Sequence, residues 1–446
     1  MVPDDTSISR RRLLGGLAGL AGLSGGATVI VGATEPTALP DPVTDWATKA
    51  YPTPPEVTEL WRPTVTEDHA RWAVSLLETV ATEADRRWQQ IEDGSYYPIG
   101  PGGWLENARG ALENENYHEA LFDATYGMQF SGEDVGVARA KLGEVDPQAL
   151  AQRLTDLQDR VKHLAVDLEP YAVVDPERDL AWYFEIENEL LHARYLADWD
   201  GAETDDTGSQ EEGATDASND DPDEVGEIYS GIYRARIAVE NAERWRAHLS
   251  TKIDGETTPY GDHLRAVTEA FVGVVETFPT QEDVDSRFVD GEDPLTPYEW
   301  ARAKLADTCL PSRFPSPFGA HPDDSFPVLQ AVGVGTGVAR GRAHESAVED
   351  LVVDPGDEGF DSGHVLAEKR RARSVYDSIV GSDPSPLLTR LVGRAVEDLQ
   401  VAKVGFAGGY RDPMWKERLE AYLYALFGRT KLRAFPEVHE SIVEGP

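Results

Sequence analysis

Two Glu-x-x-His pairs stand first among the residues that could do chemistry: Glu115 with His118, and Glu189 with His192. On paired helices such motifs project a carboxylate and an imidazole from one face, the arrangement of ferritin-like two-metal bundles. Chance competes with that reading, because ten histidines among 81 acids make about one such pair an accident. Position competes too. Glu115 falls where the apolar phase of its helix breaks. Glu189 and His192 lie with Glu185 opposite the main apolar arc of the segment 177–199, where a solvated helix face is expected. No catalytic or metal-ligating position is assigned from these residues, and no cofactor is expected.

The same segment carries a less ordinary pattern. The arc of Leu180, Tyr183, Phe184, Leu190, Leu191 and Tyr195 contains Glu187 and Arg194 near its centre. Charges in such positions are seldom buried without partners, because desolvation costs several kcal/mol per ion. Glu187 and Arg194 are therefore expected to be at least partly buried and paired, with each other across two turns or with groups on neighbouring helices. An internal ion pair that fixes helix register is preferred to a ligand-binding or catalytic carboxylate.

Three further motifs resolve into structural roles. The run Gly333-Val334-Gly335-Thr336-Gly337 fails the dinucleotide pattern, since Val338 and Arg340 occupy the third-glycine positions of its two frames. Gly333, Gly337 and Gly341 instead recur every four residues, which predicts a smooth helical stripe where another helix packs tightly. Cys309, the single cysteine, excludes an intramolecular disulfide and defaults to a small core residue. No zinc-protease, serine-hydrolase or phosphate-loop motif occurs.

The elements that must position these residues are helical almost throughout. Thr66-Glu67-Asp68 caps a helix with the stripe Ala73, Leu76, Leu77, Val80, Ala84, Trp88. Between Trp104 and Met128 the apolar phase shifts by roughly 140° at 100° per residue, so a break at Glu113-Asn114-Glu115-Asn116 makes a helical hairpin. A helix after Asp146-Pro147 carries Leu150, Leu154, Leu157, Val161, Leu164 and Leu168, and Asp175-Pro176 opens the segment 177–199. Helical patterns resume at 228–252 and 260–278 and continue to 413–429, whose Leu419, Tyr422, Leu423, Leu426 and Phe427 are expected in the core. The Pro-rich stretch 311–327 is a loop and a candidate cleft wall.

Composition supplies the boundaries. Residues 34–65 hold prolines among threonines and read as an extended stalk. Residues 200–227 hold twelve acids without a base or an aromatic, the composition of a disordered acidic linker. The resulting expectation is an all-α protein of roughly ten or eleven helices, a multi-helix bundle or irregular helical-hairpin array. Its order is a signal segment at 1–33, the stalk at 34–65, a helical half at 66–199, the linker at 200–227 and a second helical half at 228–446.

Residues 9–33 begin with Arg10, Arg11 and Arg12, continue through a Gly-rich apolar run and exit at Val31-Gly32-Ala33. That order of regions is a signal segment, and the arginines with Ser9, Leu13 and Leu14 resemble the twin-arginine export signal. The net charge of −40 and the scarcity of lysine, nine of 41 basic residues, complete a resemblance to an exported haloarchaeal protein. The resemblance implies export of the folded chain through the export machinery to the cell surface or beyond. Such acidity repels nucleic acid and anionic lipid, so neither is an expected partner. Membrane attachment is expected only through an uncleaved N-terminal segment. The stretch from Ala108 through Asn116-Tyr117-His118-Glu119-Ala120-Leu121 to Ala124 resembles one tetratricopeptide-like unit. It has no second copy at a 34-residue offset, so the resemblance implies only a helix-turn-helix. The expected function is a non-enzymatic surface binding or scaffold protein that takes a protein or small-molecule ligand at high salt. The alternative is a metal-dependent or carboxylate-using enzyme with its site on 177–199.

Overall fold

Apolar spacings of three and four dominate the chain, and the computed structural model is all-α. It describes residues 36–54, 61–91, 103–197, 221–288, 295–310, 326–381, 385–404 and 414–444. The signal arginines Arg10, Arg11 and Arg12, most of the acidic stretch and residues 311–325 of the Pro-rich loop lie outside the described residues. Contacts divide the chain into two units, one of residues 61–271, 316–333 and 441–446, the other of residues 1–60, 272–315 and 334–440.

In the first unit, α2 (Glu67–Trp88) starts at Thr66, whose hydroxyl accepts the His69 amide at 3.2 Å. α3 (Trp104–Glu113) and α4 (Tyr117–Lys141) form the expected hairpin, with Glu115 at the turn in the left-handed region, φ 59°. α5 (Pro147–Leu168) is capped by Asp146, and α6 (Pro176–Ala197) and α7 (Pro222–Ser250) complete the bundle. Two-residue strands β1 (Ala172–Val173) and β2 (Thr258–Pro259) pair antiparallel, with Ala172 opposite Pro259.

The expected division near the acidic stretch is corrected. α7 follows that stretch yet packs against α4 and α6, which precede it, so both sides share one core. Residues 222–227, expected as linker, are the first turns of α7. Asp221 accepts the Asp223 amide at 3.0 Å, and Asp223 and Glu224 complement the positive end of the helix. The α4–α7 contact is close because glycines line it. A Cβ on Gly136 would stand 2.5 Å from the Val225 carbonyl oxygen, and one on Gly132 would stand 2.9 Å from Ser230 Cα.

In the second unit, the expected stalk is also corrected. A 3₁₀ turn (Pro36–Ala38) leads to α1 (Asp41–Ala50), which lies against α12 (Ser362–Val380) with Thr44, Ala47 and Thr48 buried. Pro40 and Pro42 sit at the start of this helix, where a missing amide costs nothing, so proline there marks an N-terminus rather than a spacer. Arg418 bridges Asp41 at 2.5 Å and Asp45 at 3.1 Å, and Lys369 donates to the Thr48 carbonyl at 3.0 Å.

The short helix α9 (Gln281–Asp285), α10 (Pro297–Cys309), α13 (Pro386–Val404) and α14 (Met414–Val443) contribute the rest of this unit, together with parts of α8 (Gly261–Val275) and α11 (Pro327–Glu349). Leu419, Tyr422, Leu423, Leu426 and Phe427 are core residues, as their density in the sequence predicted. Cys309 is fully buried among them, and burial pushes its thiol up. Gly333, Gly337 and Gly341 are buried. At Gly341 the close neighbour is the Phe278 ring, 2.2 Å from where a Cβ would stand, so a side chain rather than a helix backbone occupies that part of the stripe.

Candidate functional site

Glu187 and Arg194 converge on one place, the start of α11. Glu187 is fully buried, and its carboxylate accepts the amides of Val328 at 3.3 Å and Leu329 at 2.6 Å. Those amides belong to the first turn of a helix, where no intrahelical partner exists, so Glu187 supplies from α6 the cap that residues 326–329 lack locally. Arg194, two turns on, is partly buried and lays its guanidinium over the Phe326 ring at 5.6 Å. Glu187 is met by backbone amides and Arg194 by an aromatic ring of the same neighbouring segment, in place of the internal ion pair expected of them. Burial pushes the Glu187 carboxyl up to about 8, opposed by the two amides and by the neighbouring Tyr171. The buried Tyr171 hydroxyl couples electrostatically to Glu187 but makes no well-formed hydrogen bond.

The opposite face of α6 is solvated only at His192, which is exposed. Glu185 is buried, Glu189 is partly buried, and α7 covers this face. The neighbouring polar group is Asn241 of α7, which favours the ionised form of Glu189 and accepts at Oδ1 from His69 Nε2 at 2.7 Å. Burial raises Glu189 to about 8 and lowers His69 to about 4. Glu189, Asn241 and His69 thus form a polar chain across three helices. The apolar arc does not reveal this because α6 is packed on both sides, and Glu185 and Glu189 are shielded by a neighbouring helix rather than left to water. His118 is partly buried at the start of α4, and burial lowers it to about 4. Among the described residues, no three His, Cys, Asp or Glu side chains are grouped to hold a metal ion.

The feature turned outward is aromatic. Phe122, Tyr126 and Phe130 follow one another at successive turns of α4, with ring centroids 6.2 and 5.5 Å apart, and Trp104 of α3 leans on Tyr126 at 4.5 Å. Phe122 is 58 % exposed and Tyr126 is 44 % exposed. Carboxylates stand at both ends of the row. Glu119 is exposed one turn before Phe122; Glu133, one turn past Phe130, is raised by burial and by Glu227 and Asp223. This row was missed in the sequence because Leu121, Ala124 and Met128 supply a sufficient core stripe. The signal was present in the second apolar stripe beside it, which leaves α4 aromatic on a face that the core does not need.

Residues 66–255 match a family model described as a domain of unknown function, DUF8262, and residues 261–444 match another described as a domain of unknown function, DUF8264. The first spans the acidic stretch, in keeping with a core shared by both of its sides. No curated protein and no solved structure matches the chain. Among the described residues no helix is long and apolar enough to cross a membrane.

Proposed function

We propose that this chain is an exported, non-enzymatic helical scaffold that docks a partner protein on the aromatic row of α4. The row itself carries the proposal, since exposed contiguous aromatic surface on a highly charged chain marks an interaction site. Its acidic ends select the partner. A basic segment places cations beside Glu119 and Glu133 and over the rings, where cation–π attraction adds to burial. A second copy laid antiparallel would oppose Glu119 to Glu133, like charge to like. Glu187 is engaged in capping α11, which favours scaffold over carboxylate chemistry on α6.

The doubly substituted chain Phe122→Ser/Tyr126→Ser tests the reading. Phe122 is largely exposed and Tyr126 is half-buried against Trp104 and Phe130, so unfolding should shift by only about 1–2 kcal/mol. Wild-type protein extracted from its own cell envelope should run as an assembly larger than one chain, and the double variant as a single chain. Equal sizes for the two would refute the docking surface. Export rests on the arginines. Replacing Arg10, Arg11 and Arg12 by lysine should leave the chain in the cytoplasm, and undiminished export in a cell-fractionation assay would refute that part.

A further inference from the structure

In a chain of net charge −40, one arginine of the second unit has no counter-ion among the described residues. Arg302 of α10 lies with its guanidinium over Phe288 at 5.1 Å and over Tyr298 at 5.9 Å, and donates through Nη1 to the Tyr298 hydroxyl at 3.1 Å. Among the described residues no carboxylate stands within ion-pairing distance of it, and its Nε is buried with no hydrogen-bond partner. His344 of α11 is 5 % exposed, and its Nε2 is likewise buried with no partner. Burial lowers His344 to about 4, and the one charge that adds to this effect is that of Arg302. The imidazole is therefore neutral at ordinary pH and, with its proton on Nε2, a donor.

Orphaned buried donors are rare in folded proteins because each forfeits its hydration without return. Here an orphaned guanidinium Nε–H, carrying a fixed positive charge, and an unpartnered imidazole nitrogen occur together on helices whose core residues Ala301, Leu305, Ala343 and Ala347 share one cluster. We infer that Arg302 Nε and His344 Nε2 form a binding site for a small monovalent inorganic anion, walled by Phe288 and Tyr298. The charge count selects monovalent. One guanidinium beside a neutral imidazole balances a single negative charge, whereas a divalent phosphate would bury a net charge against the desolvation penalty. The enclosure of both donor atoms selects a small inorganic ion over an organic carboxylate.

Chloride and bromide are the probes. At fixed molar ionic strength, which holds screening constant, exchanging gluconate for chloride should raise the melting temperature of the full chain saturably, by about 2–4 °C. Arg302→Met and His344→Phe should each lose that increment, while anion effects on general solvation act on all three chains alike. Crystals of the wild-type chain in bromide should show an anomalous peak within hydrogen-bonding reach of Arg302 Nε and His344 Nε2. This readout stands even where a variant fails to fold. The same chloride increment in wild type and variants, or no bromide at that position, would overturn the site. Acetate or phosphate matching chloride would overturn the selectivity.

Discussion

Replacing Glu187 by alanine should destabilise the first unit by about 2–5 kcal/mol, because it strands the amides of Val328 and Leu329 at a buried helix start. Chemical unfolding followed by tryptophan fluorescence measures it. Glu187→Gln keeps one acceptor and should cost less, and it also isolates the ionisation. The folded pKa is raised above the unfolded value, so the folded state keeps a proton that the unfolded state has released. Stability is therefore fully present below the ordinary glutamate range and is lost as pH rises through about 8. Between about pH 7 and about pH 9 the wild type should lose roughly 1 kcal/mol more than Glu187→Gln. The comparison belongs in that window because His69, His118 and His344, each lowered to about 4 by burial, are then largely neutral in both states. They act at the other end, where stability falls as pH drops from the ordinary histidine range through about 4.

Arg429→Ala should destabilise the second unit by about 3–5 kcal/mol. Arg429 and Glu368 are both buried and joined by a direct ion pair, and Arg429 also reaches Asp350 at 2.7 Å. Removing the guanidinium leaves Glu368 with Arg371, 3.3 Å from its other oxygen and itself largely exposed. The cost is that of a stranded buried charge rather than the net contribution of the pair. The double variant Arg429→Met/Glu368→Leu should accordingly recover most of the loss, since apolar groups of similar volume often replace a buried pair without penalty. Unfolding midpoints of the single and double variants decide the matter; a double variant no more stable than the single would place the energy in shape rather than in charge.

The helices that bury one face were legible in the sequence, because a single apolar stripe with a capping residue states both period and start. Thr66 caps where it was expected to, the helix expected after Asp146-Pro147 starts there, and the phase break at Glu115 marks the observed turn. Legibility ended where a helix buries more than one face. α6 is packed on two sides, so Glu185 and Glu189 read as solvated although α7 covers them. Composition also misled at both supposed spacers. Prolines at 40 and 42 start α1, Asp221 caps α7, and the acids at 223 and 224 charge its first turn. Glu187 was singled out correctly as buried, yet its partners, backbone amides 141 and 142 residues away, are groups that no side-chain pattern displays. The aromatic row on α4 was present in plain spacing, but an apolar residue carries no mark telling core from surface.

The most direct measurement is photo-crosslinking in intact producing cells from a benzophenone side chain placed at Phe122, compared with the same group at Arg236, an exposed position of α7. A docking row predicts a discrete adduct with one protein from position 122, abolished by Tyr126→Ser, and none from position 236. Equal labelling from both positions, or no protein adduct from position 122, would contradict it.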